Sequence, residues 1–125
     1  MMYPLACLVV GAFVCLVGLV LIVAPDAYFQ LYATHYVPGM DFPARRFAPA
    51  VLALGEVLLV ARSLEPGPFA AVLCLITAFA FLGVAGTGLL AWRDGIARAA
   101  ILWAAALESA IAVLFLVLWM RMRKL

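Results

Sequence analysis

Four long apolar runs constrain this chain more than any other feature: Leu5 to Ala24, Phe47 to Ala61, Phe69 to Trp92 and Ile96 to Met120. A helix rises about 1.5 Å per residue, so about twenty residues cross a hydrocarbon layer of roughly 30 Å. The first run has that length and stops at Pro25. The second is shorter, but Arg45 and Arg46 before it and Arg62 after it can snorkel to the headgroups and lengthen the span. Pro49 reads as part of its first turn, where a missing N–H costs little. The fourth run is interrupted only by Arg98 and Glu108. The expectation is an all-α integral membrane bundle of four transmembrane helices, with residues 1–125 as a single domain.

Composition sets the functional limits. Hydrophobic residues make up 70% of the chain and charged residues 11%, against about 25% charge in soluble domains. A soluble enzyme or a disordered linker does not have this balance. The net charge of +2 comes from basic residues scattered among loops, so no nucleic-acid footprint exists. Cys7, Cys15 and Cys74 lie inside apolar runs and read as small packing residues rather than a disulfide framework. His35 is the only histidine, and no Cys/His cluster accompanies it. No metal and no cofactor is expected. Met1 to Pro4 carry no basic side chain and the first run exceeds a signal-peptide core, so that run reads as a retained helix.

Between the first two runs, Tyr28, Tyr32 and Tyr36 recur at a spacing of four. That spacing places them on one helical face, and tyrosine favours the membrane–water boundary. It predicts a short interfacial helix over residues 26–36, anchored by Tyr28, Tyr32 and Tyr36 with Arg45 and Arg46 nearby. Val37 to Pro43 then reads as a turn built on Pro38-Gly39. Trp92, Trp103 and Trp119 read as further interface anchors.

Four spans leave both termini on one side. Arg62, Arg121, Arg123 and Lys124 then balance Arg45, Arg46, Arg93 and Arg98, four against four. The basic cluster at 121–124 favours cytoplasmic termini in a bacterial inner membrane, but the balance also permits insertion in both orientations, as in small antiparallel dimers.

Small residues define candidate packing faces. Cys7, Gly11, Cys15 and Gly18 share one face of the first run, and Gly83 and Gly86 make a small patch in the third. Such faces let membrane helices approach closely. The second and fourth spans also share a pattern, Arg46 with Glu56 and Arg98 with Glu108, each pair separated by nine residues. A parallel repeat of helix pairs would produce it.

Glu56 and Glu108 are the only acids well inside the runs. An intramembrane carboxylate is costly and marks a candidate functional position. Three readings stay open: a shared proton in a transport relay, pairing with arginine from another helix, or a protonated acid bonded to a carbonyl. Arg46 and Glu56 are about 15 Å apart along one helix, so they do not pair within it.

The polar inventory is otherwise thin: no Asn, one Gln, two Ser and three Thr. No nucleophile and base can be paired, which argues against an enzyme. The Gly-rich first run ending in Ala24-Pro25-Asp26, the aromatic stretch Tyr28-Phe29-Gln30-Leu31-Tyr32, Arg46, Gly55 and Ala61-Arg62 together resemble small bacterial four-helix membrane families of the DoxX-like kind. The resemblance covers nearly the whole chain and implies a fold, without catalytic residues. The leading expectation is a non-enzymatic accessory or assembly subunit, or a homo-oligomer, whose partners are lipid, other membrane subunits or itself. The alternative is a proton-coupled transporter or channel using Glu56 and Glu108.

Overall fold

A computed structural model describes all 125 residues, Met1 to Leu125. It is helical, with no sheet. The order is α1 (Met2–Val23), α2 (Pro25–Tyr32), a 3₁₀ turn (Pro38–Met40), α3 (Asp41–Ala61), α4 (Pro68–Arg93) and α5 (Ala100–Met122). Three of these helices, α1, α4 and α5, are long and apolar enough to cross a membrane. This is a membrane-embedded helical protein.

The chain divides into two compact units, Met1–Ser63 and Leu64–Leu125. The first is built on α1 against α3. Its contacts run antiparallel: Tyr3 reaches Ala61, Gly11 meets Gly55, and the α1 end at Ile22 meets Arg45. The second unit is α4 packed on α5. Its buried α4 positions are mostly small: Ala70, Ala71, Cys74, Ala78 and Ala85. Against them α5 buries larger groups, among them Ile101, Phe115 and Leu118. Thr77 is fully buried, and its hydroxyl donates to the Leu73 carbonyl at 2.8 Å, so burial leaves no polar group unsatisfied.

Local chemistry sets the boundaries. Pro25 lacks an N–H and disfavours helix at Ala24, so α1 ends there and Pro25 opens α2 as its first residue. After α4, the Ile96 N–H bonds the Ala91 carbonyl and the Gly95 N–H bonds the Trp92 carbonyl. This paired cap needs a left-handed residue, and Gly95 supplies it at φ 75°.

Three sequence expectations are corrected. The helix expected at the interface, α2, stops at Tyr32 rather than near residue 36, because Ala33 turns extended at φ −86°, ψ 143°. Tyr36 therefore leaves the helical stripe. The second long helix begins at Asp41, six residues before the apolar run at Phe47. Pro49 consequently lies in the helix interior and removes the bond that the Arg45 carbonyl would accept. The last helix begins at Ala100, because the cap at Gly95 and the turn after it occupy Ile96 to Ala99.

Candidate functional site

The small residues of α1 meet α3 very closely. A Cβ built on Gly55 would lie 2.5 Å from Cys15 Sγ, 2.8 Å from Cys15 N and 2.9 Å from the Gly11 carbonyl. One on Gly11 would lie 3.0 Å from the Gly55 carbonyl, and one on Gly18 2.8 Å from Leu52 Cγ. Gly11, Cys15 and Gly18 thus lie on the α3 side of α1, with Gly55 as their counterpart. Tyr3, which the sequence does not flag, is buried and donates its hydroxyl to the Ala61 carbonyl at 2.9 Å. In α4 the glycines differ. Gly88 would bring a Cβ to 3.2 Å from Ile101, whereas Gly83 and Gly86 have open space where a Cβ would sit.

The aromatic segment is tied to the start of α3. Tyr28 and Tyr32 meet edge-on with ring centroids 4.9 Å apart, and Phe29 stacks on Tyr36 at 5.9 Å. The Tyr36 hydroxyl donates to the Asp41 carboxylate, 2.9 Å from each oxygen. Partial desolvation, the bond to Asp41 and the negative field of Asp41 and Asp26 raise the phenol above its ordinary range. Arg45 Nε donates to the Ile22 carbonyl at 3.1 Å. That carbonyl is one of the unpaired acceptors at the C-terminal end of α1, where a positive charge is favoured. Pro38, Asp41, Phe42, Arg45 and Arg46 line an open groove of about 580 Å³ beside this cluster.

The two acids within the apolar runs sit differently. Glu108 lies half-buried in α5, and Glu56 is exposed on α3. Neither makes a hydrogen bond or an ion pair. They belong to different units, each on the second long helix of its unit.

One side of α3 is exposed along its length. Phe42, Arg46, Pro49, Ala53, Glu56 and Val60 are all exposed, while Ala48, Gly55, Leu58 and Ala61 are buried. These six follow steps of four, three, four, three and four, one line along a broader exposed face that also includes Pro43, Arg45, Phe47, Ala50 and Val57. Those steps are the seam spacing of two helices in knobs-into-holes contact. Comparison of the chain with family models, curated proteins and solved structures returns no match.

Proposed function

We propose that this is a non-enzymatic membrane protein of the bacterial inner membrane that works by lateral association. In this reading α3 crosses the membrane as a fourth span, and its exposed face meets another chain. The protein is then a homo-oligomer or an accessory subunit of a membrane assembly. The observation that carries the reading is Glu56: exposed on α3, without a partner, and flanked on that face by Ala53 and Val60. A carboxylate in that position is costly against lipid and becomes tolerable when another chain supplies a cation or donor. The scarcity of convergent polar groups elsewhere supports recognition over catalysis.

The test is extraction into polymer-bounded native nanodiscs followed by native mass measurement. A defined stoichiometric complex that is lost on Glu56→Leu supports the reading. A monomer that drives substrate flux when purified into liposomes overturns it. Flux abolished by Glu56→Gln and Glu108→Gln would then assign the two carboxylates to proton-coupled transport.

A further inference from the structure

We infer that the partner on the α3 face is a second copy of this chain inserted in the opposite orientation. This rests on the lateral-association reading and specifies its partner. Register along α3 points to this arrangement. Arg46 and Glu56 are the two charges on the exposed seam, and the midpoint between them is position 51, since half of 46 + 56 is 51. The helix spans Asp41–Ala61, and half of 41 + 61 is also 51. A two-fold axis passing beside position 51 therefore places two antiparallel α3 helices flush, end against end. The same axis places Arg46 of each copy opposite Glu56 of the other.

The remaining seam positions obey this symmetry. Phe42 faces Val60 of the second copy, and these two are 70% and 71% exposed. Pro49 faces Ala53, so the crossing lies over small side chains, where helices approach most closely. A parallel pair with the same seam would set Arg46 against Arg46 and Glu56 against Glu56, two like-charge contacts in a medium that screens poorly. Charge complementarity therefore selects the antiparallel arrangement.

In a membrane, antiparallel α3 helices require copies of opposite orientation. The basic residues permit this. With four spans, they divide four against four, so neither orientation is preferred. This replaces the single orientation with cytoplasmic termini that the basic cluster at 121–124 favours. The association is isologous and closes as a dimer.

The experiment has two parts, both on the full chain in nanodiscs. First, Arg46→Glu and Glu56→Arg are measured singly and together. Each single reversal sets like charges together at two symmetric positions. It should weaken dimerisation roughly a hundredfold, about tenfold per contact. The double variant R46E/E56R recreates both pairs with signs exchanged and should recover wild-type dimerisation. In a parallel dimer the double variant recreates only like-charge contacts. Second, differently tagged F42C and V60C chains are co-expressed and treated with a short bis-maleimide, with wild type as the control for the native cysteines. The expected product is an F42C–V60C heterodimer, without F42C–F42C or V60C–V60C products. Homotypic products, or a double variant as weak as the singles, overturn the antiparallel copy while lateral association stands. A wild-type chain that is monomeric in native nanodiscs overturns both.

Discussion

Replacing Gly55 with alanine tests whether α1 and α3 are joined through a glycine contact. The new Cβ would stand 2.5 Å from Cys15 Sγ, 2.8 Å from Cys15 N and 2.9 Å from the Gly11 carbonyl, where ordinary contact begins at 3.4 Å. Two of those three atoms are backbone, so no side-chain rotation relieves the clash. The helices must part by 3.4 − 2.8 = 0.6 Å at this point. A gap of that order forfeits about a quarter to a half of each neighbouring dispersion contact. Overpacking of this kind costs about 1–3 kcal/mol. Alanine returns about 1 kcal/mol of helix propensity, so the net cost is about 0–2 kcal/mol. Gly83 supplies the internal control. It is also helical but has open space at its Cβ position, so Gly83→Ala keeps the propensity gain and loses nothing. Pulse proteolysis across an SDS titration in mixed micelles reads both. Gly55→Ala should move the midpoint to lower SDS, and Gly83→Ala should leave it or move it higher. Equal shifts of the same sign for the two variants would refute the packing argument.

Tyr3→Phe removes a buried hydrogen bond to the Ala61 carbonyl and should cost about 0.6–1.5 kcal/mol in the same titration; an unchanged midpoint would show that the bond contributes nothing. Tyr36→Phe removes the donor to Asp41. Because the phenol is raised in the folded state, its contribution is complete below the unfolded value of about 10 and disappears as pH rises through the higher folded value. The thermal-midpoint difference between wild type and Tyr36→Phe should therefore be constant near neutrality and shrink in strong alkali; a difference that grows with pH contradicts the assignment.

What the sequence makes legible depends on how far a signal repeats. The face of Cys7, Gly11, Cys15 and Gly18 recurs over about three turns and is visible as a period. Gly55 stands alone on its helix, so no spacing marks it as the counterpart of Cys15 and Gly11. Gly83 and Gly86 have a similar small-residue spacing without a helix against them, because spacing records which residues share a face and not what that face meets. Helix starts are misplaced wherever a polar first turn precedes an apolar run. Asp41 to Arg46 belong to α3, yet the boundary of the apolar run assigns them to a loop. The same displacement hides the exposed seam, since its first two members, Phe42 and Arg46, fall outside the run. At the last helix the error is opposite: Ile96 and Ala97 are apolar, so hydropathy extends the helix across a cap that only Gly95 signals.

The proposed antiparallel pairing would resolve a conflict inside α3. With Arg45, Arg46 and Glu56 among its residues, α3 lacks the apolarity that marks α1, α4 and α5 as spanning helices. A charged side chain near the centre of a membrane helix costs about 2.5–3.5 kcal/mol, and less toward the ends, where arginine can snorkel. Arg45 is near the helix start and already bonded to the Ile22 carbonyl. Arg46 and Glu56 remain, each five residues from the helix midpoint, or about 7.5 Å. Alone, they oppose insertion. Reciprocally paired across an antiparallel contact, each has its countercharge at its own depth. In the proposed antiparallel pair, the charges that disqualify α3 as an isolated span would be the reason it spans, and its insertion would be thermodynamically coupled to association.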